Sequence, residues 1–179
     1  MDNQQYGFLG TAGTVLLLAA WMILATPQEG RQASMNNDTQ DLREAVFAGG
    51  CFWCMQPPFR QLDGVSRVIT GYTGGDGADP AYGDYSEKGH VEAIQIRYDP
   101  RRISYAHLLD VFWRQINPTD GGGQFCDRGP AYRPVIFYEN EDQRRIAETS
   151  KERLASSGRF DQPLAVEILP AARFYPAED

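Results

Sequence analysis

Three cysteines are the most reactive side chains of this 179-residue chain. Two of them stand in the segment GGCFWC, Gly49 to Cys54. A pair of glycines behind a strand lets the backbone turn sharply and present Cys51 at the head of a helical turn. Free amide N–H groups and the helix dipole there favour a thiolate, so Cys51 is expected to ionise easily. The competing reading is a small buried hydrophobe, a common fate of a lone cysteine. Cys54 adds a Cys-x-x-Cys spacing, which serves redox pairs and metal sites alike. Cys126 lies in a glycine-rich loop. Three cysteines do not make a disulfide scaffold, but they suffice for a thiol enzyme. With two histidines, a Cys/His zinc site would use nearly every ligand in the chain, so no metal and no other cofactor is expected. No Gly-Lys-Ser/Thr follows Gly74-Gly75 or Gly121–Gly123, which rejects a phosphate cradle.

These side chains need elements to hold them. Glu44–Ala48 reads as a short strand stopped by Gly49-Gly50. Cys51–Cys54 is expected to form the turn leading into a helix that starts close to Pro57-Pro58, because proline suits a first turn and not a helix interior. Val65–Tyr72 is β-branched and reads as a strand, followed by a glycine-rich loop to Tyr85. Val91–Tyr98 is the clearest strand, with Glu92, Ile94, Ile96 and Tyr98 on one face. That face should be the inner one, which buries Glu92 and raises its carboxyl pKa. Ser104 caps a helix with Tyr105, Leu108, Leu109, Phe112 and Ile116 at helical spacing. A second glycine-rich loop spans Asn117–Tyr132. Val135–Tyr138 (strand), Glu141–Ser156 (helix ended by Gly158) and Ala165–Leu169 (strand) complete the pattern. Alternating strands and helices with one adjacent strand pair suggest a two-layer α/β sandwich of the α+β class.

Composition sets the outer bounds. Hydrophobic residues at 42% can build a core, and the net charge of −7 argues against a nucleic-acid partner. Phe8–Thr26 carries no charge, and about 19 helical residues nearly cross a bilayer core. Residues 1–26 are therefore expected to be a membrane anchor or signal, and 27–41 a polar linker. The folded domain should span 42–179. The chain is expected to be membrane-anchored or exported, with the extracytoplasmic side favoured. The sparse basic flanks leave a cytoplasmic-facing domain as the other possibility.

The motifs then converge. GGCFWC, GYTGG (Gly71–Gly75), PAYGDY (Pro80–Tyr85), GHVEAIQIRYDP (Gly89–Pro100), FWRQINPTD (Phe112–Asp120), GGQFCDRGPAYR (Gly122–Arg133) and FYPAED (Phe174–Asp179) resemble the A-type peptide methionine sulfoxide reductases. The likeness runs in order over essentially the whole folded part. It implies a ferredoxin-like sandwich that reduces the S epimer of methionine sulfoxide, free or in oxidised proteins, through a cysteine sulfenic acid and a disulfide. By that resemblance Cys51 is the nucleophile, and Phe52 and Trp53 hold the substrate methyl group. Glu92 is the acid, Tyr82 and Tyr132 bind the oxygen, Asp127 is the carboxylate of the second loop, and His90 is structural. Asn117 and Gln56 stand where acidic residues are common in the family.

Thioredoxin or another dithiol donor is the implied partner. The resolving thiol is Cys126 or Cys54, with Cys126 preferred because glycines let its loop swing. Members of the family often continue beyond a segment like FYPAED into a tail with recycling cysteines. Two other readings compete: a general thiol-disulfide oxidoreductase using Cys51 and Cys54, and a truncated module that binds oxidised methionine without turnover.

Overall fold

The computed structural model describes residues 42–178; the anticipated anchor and the whole of the linker, 27–41, lie outside the described residues. Along the chain run β1 (Arg43–Ala48), α1 (Phe52–Arg60), β2 (Val65–Thr73), β3 (Val91–Tyr98), α2 (Tyr105–Gln115), β4 (Gly123–Gln124), β5 (Asp127–Arg128), β6 (Val135–Tyr138), α3 (Glu141–Ala155), β7 (Glu167–Pro170) and β8 (Tyr175–Pro176). The main sheet has the order β7-β6-β1-β3-β2-β8. Each of its four central strands is antiparallel to its neighbours among them. With α1 and α2 they form the β-α-β-β-α-β unit of ferredoxin-like folds. α3 then returns the chain to add β7 parallel to β6, and β8 closes the far edge against β2. This is the α+β architecture expected. Among the described residues no helix is long and apolar enough to cross a membrane.

Both faces of the sheet are covered, for different reasons. Phe47 sits under the helices, its ring 5.0 Å from Phe112 and 5.8 Å from Phe59 between centroids. Ile94 and Ile96 are buried on the same side, as the strand alternation predicts. On the opposite face Val46, Ala48, Val91, Ala93, Val135 and Phe137 form a second small core. Leu169, Ala171 and Phe174 cover it. β3 is therefore buried on both faces along its first half. Alternation along β3 cannot reveal this, because the cover comes from a segment some 80 residues later.

β7 starts two residues later than expected, and the second loop contains the β4–β5 hairpin, but the largest difference is at α1. α1 begins at Phe52, directly after Cys51, and carries Pro57 and Pro58 inside it. Each proline removes an N–H that would bond to a carbonyl one turn back. Burial of Phe52, Met55 and Phe59 at helical spacing outweighs that loss. Ser104 caps α2 as predicted, accepting from the His107 N–H, and Asn140 does the same for α3 from Gln143.

Candidate active site

The glycine pair that exposes Cys51 is required by close packing. Gly50 has φ +86°, and a Cβ added there would stand 2.7 Å from the Gln124 Cβ. Only glycine combines that backbone with that contact. Gln124 is itself immobilised: its Oε1 accepts the Asn117 N–H at 2.7 Å, and its amide donates to the carbonyls of Asn117 and Asp120. The strand end that carries Cys51 and the second glycine-rich loop are thus locked together. Cys51 is the N-cap of α1 and partly exposed. Its carbonyl accepts the N–H groups of Cys54 and Met55, each at 3.1 Å.

Glu92 comes from the opposite side, on β3, and is 3% exposed. Its Oε2 accepts the Phe52 N–H at 2.9 Å, so the acid is tied to the residue adjoining Cys51. Its Oε1 accepts the Tyr85 hydroxyl, also at 2.9 Å. Burial raises the Glu92 pKa; these two hydrogen bonds oppose the rise, and the charge of Asp127 adds to it. The net direction is upward, so this carboxyl holds its proton more readily than a free one, which suits a proton donor.

The first glycine-rich loop carries the tyrosines. Tyr85 N–H bonds to the Ala81 carbonyl at 2.9 Å, a single helical turn. That turn puts Tyr82 and Tyr85 on one side, ring centroids 6.2 Å apart. Tyr82 stacks on Trp53 at 6.3 Å, and both are exposed, forming an apolar rim. Phe52, by contrast, is buried; its ring packs on Trp53 and Tyr72 and forms the back of that wall. His90 holds the base of the loop: the Gly75 N–H donates to its Nδ1, and its Nε2 meets the Gly77 carbonyl at 2.7 Å. The carbonyl can only accept, so the Nε2–H tautomer fits. A structural role for His90 accords with these contacts. Glu178 accepts both the Tyr82 N–H at 3.0 Å and the Tyr72 hydroxyl at 3.1 Å.

The three cysteines are free thiols. Partial burial raises the Cys54 pKa, and so do the charge and the hydrogen bonding of the Cys51 side chain and the charges of Asp127 and Glu92. Cys54 stands one turn along from Cys51, its N–H bonded to the Cys51 carbonyl at 3.1 Å. Cys126 occupies the exposed tip of the two-residue hairpin between β4 and β5. Before it stands Phe125, 72% exposed and with φ +51°, a strained conformation for an aromatic residue. Among the described residues no group of three or more His, Cys, Asp or Glu could hold a metal ion.

Cys51, Glu92, Cys54 and Asp127 thus share one electrostatic environment, with the Tyr132 hydroxyl 3.3 Å from that of Tyr85. Tyr85 and Glu178 were not anticipated. Tyr85 could have been found from its three-residue spacing from Tyr82 in PAYGDY; nothing local flags Glu178. Asn117 and Gln56 have ordinary duties: the Asn117 side chain caps Thr119, and Gln56 donates to the Val68 carbonyl.

The chain resembles known proteins in sequence and in fold. A family model described as peptide methionine sulfoxide reductase matches residues 43–179. The peptide methionine sulfoxide reductase MsrA of Streptococcus agalactiae serotype III is 56% identical over 140 residues, covering 77% of this chain and 83% of that protein. Mxr1 of Saccharomyces cerevisiae in reduced form superposes with a TM-score of 0.70 at 27% identity, covering 79% of this chain and 83% of that one. Mxr1 in complex with Trx2 shares the fold, with a TM-score of 0.57 at 23% identity over 82% and 88% of the two chains.

Proposed function

Because the chain belongs to the peptide methionine sulfoxide reductase family, and so is a thiol-dependent peptide-methionine (S)-S-oxide reductase acting in protein repair, we propose a role for each residue of its site. Cys51 is the nucleophile. Its thiolate sulfur attacks the sulfoxide sulfur while Glu92 supplies a proton to the oxygen. Two electrons pass from Cys51 to the substrate; methionine leaves, and Cys51 holds the oxygen as a sulfenic acid. Trp53 and Tyr82 form the exposed wall for the S-methyl group, with Phe52 behind them. Tyr82 and Tyr132 offer hydroxyls to the oxygen, and Asp127 keeps the surroundings negative so that Glu92 retains its proton. The observation that carries this reading is the bond between Glu92 and the Phe52 N–H, which fixes a buried acid one residue from the nucleophile.

For the second half-reaction, the position of Cys54 one turn from Cys51, its N–H on the Cys51 carbonyl at 3.1 Å, favours Cys54 over Cys126 as the resolving sulfur. The Cys54 thiol attacks the sulfenic sulfur, water leaves, and a Cys51–Cys54 disulfide remains. A dithiol donor of the thioredoxin kind then reduces it, and the exposure of Cys54 supports such access. A further proposal concerns location: the uncharged stretch 8–26 and the polar linker to residue 41 precede the family match, which begins at residue 43. They support a domain tethered to a membrane or exported through one, on the extracytoplasmic side.

Three variants test the assignment. With the separated epimers and dithiothreitol, Cys51→Ser should yield no methionine from the S epimer. Cys54→Ser should complete one turnover and then stall with thioredoxin as donor, whereas Cys126→Ser should continue. After one equivalent of sulfoxide, disulfide mapping should find Cys51 joined to Cys54. A Cys51–Cys126 bond, with thioredoxin-supported turnover intact in Cys54→Ser, would reverse the choice of resolving thiol.

A further inference from the structure

The two oxygens of Glu92 are not equivalent. Oε2 accepts the Phe52 N–H at 2.9 Å, and a backbone N–H can only donate. The carbonyl oxygen of a neutral carboxyl is its stronger acceptor, so Oε2 is assigned as the carbonyl and the acidic proton to Oε1. The neighbour of Oε1, at 2.9 Å, is the Tyr85 hydroxyl. That hydroxyl lies 3.3 Å from the hydroxyl of Tyr132. One tyrosine has one hydroxyl proton, so Tyr85 cannot donate to both neighbours at once. With Glu92 ionised, Tyr132 donates to Tyr85 and Tyr85 to Glu92. With Glu92 protonated, the order runs the other way: Glu92 donates to Tyr85, and Tyr85 to Tyr132. Rotation of two hydroxyls serves both states, and every oxygen keeps a partner in each.

We propose that Tyr85 is a relay residue, passing the proton of Glu92 to Tyr132, which delivers it to the sulfoxide oxygen. The inference rests on the assignment of Glu92 as the acid. In the relay Glu92 Oε1 releases its proton to the Tyr85 oxygen, Tyr85 releases its own to the Tyr132 oxygen, and Tyr132 releases its own to the substrate. Both tyrosines end with the proton count they began with; Glu92 has lost one proton and the oxygen has gained one. Tyr85 suits the task because it is held on every side. It is 5% exposed, and its ring stacks on Tyr72 at 4.6 Å and 18°. Tyr72 is in turn fixed through its own hydroxyl to Glu178. A group buried so deeply does not form the substrate wall; it acts between the acid and the hydroxyl that meets the substrate.

The test is the single-turnover rate of methionine formation by reduced protein, measured in mixtures of light and heavy water. Tyr85→Phe removes one oxygen and leaves the ring stack in place. It should slow the step by roughly 10- to 100-fold, as expected for loss of a hydrogen bond to a charged group, with little change in KM. Wild type should show a curved dependence on deuterium fraction, with several protons in flight, and Tyr85→Phe a straighter one. Tyr132→Phe breaks the other link and should straighten it equally, which guards against a folding defect peculiar to Tyr85→Phe. Tyr85→Phe combined with Glu92→Gln should be no slower than Glu92→Gln alone. An unchanged rate and isotope dependence in Tyr85→Phe, or losses that multiply in the double variant, would overturn the relay. A wild-type rate in Glu92→Gln would instead overturn the choice of acid.

Discussion

Replacing Glu92 by glutamine separates its proton from its geometry. In the wild type Oε2 accepts from the Phe52 N–H, and Oε1 faces the Tyr85 hydroxyl. A glutamine can meet both: its carbonyl oxygen takes the Phe52 N–H, and its amide donates to the Tyr85 oxygen, leaving Tyr85 to donate to Tyr132. The substitution is close to isosteric and leaves no buried polar atom unpaired, so folding should be preserved. What is lost is an ionisable proton held in place for transfer. That loss is typically worth about 10² to 10⁴ in rate, or about 3 to 5 kcal/mol of barrier. Rapid-quench measurement of methionine formation across pH reads two consequences. Burial and the Asp127 charge raise the Glu92 pKa, so the wild-type rate should decline as pH rises through that raised value. The variant should be slow at every pH and lack that limb. The sign for stability follows from the same shift. A carboxyl whose pKa is raised on folding contributes stability that is fully present below the unfolded value and is lost as pH rises through the folded one. Glutamine does not titrate, so the variant should gain on the wild type in denaturant midpoint above that pH. Each pH unit by which the folded pKa exceeds the unfolded one is worth about 1.4 kcal/mol. A variant within a few-fold of wild type, or one keeping the alkaline limb, would refute the argument that this buried carboxyl gives up the proton.

Other perturbations test the frame around the site. Gly50→Ala forces a side chain into a left-handed backbone, 2.7 Å from the Gln124 Cβ; it should cost about 1 to 3 kcal/mol in urea unfolding and lower kcat. Glu178→Ala releases the Tyr82 N–H and the Tyr72 hydroxyl. It should raise KM for the S sulfoxide by roughly 5-fold, about 1 kcal/mol of loop positioning, with a smaller change in kcat. Full-length protein should sediment with membranes and resist carbonate extraction, while deletion through Gln40 should give a soluble domain of undiminished activity.

How much of this was legible in the sequence depends on the distance over which each feature is decided. Glu92 on the inner face of β3 followed from alternation alone, because a strand fixes the side of each residue by parity. Ser104 as a cap followed from local chemistry, and the structure has both. The start of α1 did not follow. Proline preferences are local, whereas the burial of Phe52, Met55 and Phe59 that overrides them is tertiary. The second core on the back of the sheet was hidden for the same reason, since Phe174 and Leu169 reach it from the far end of the chain. Tyr85 lies between these cases. Its spacing from Tyr82 was readable, but its value depends on which oxygen of Glu92 the Phe52 N–H occupies. That is settled by the start of α1. A helix beginning near Pro57 would leave Phe52 outside its first turn, with no reason for its N–H to face Glu92. The early start of α1 is therefore what orients the acid, and the misplaced helix boundary and the unanticipated tyrosine share one physical cause.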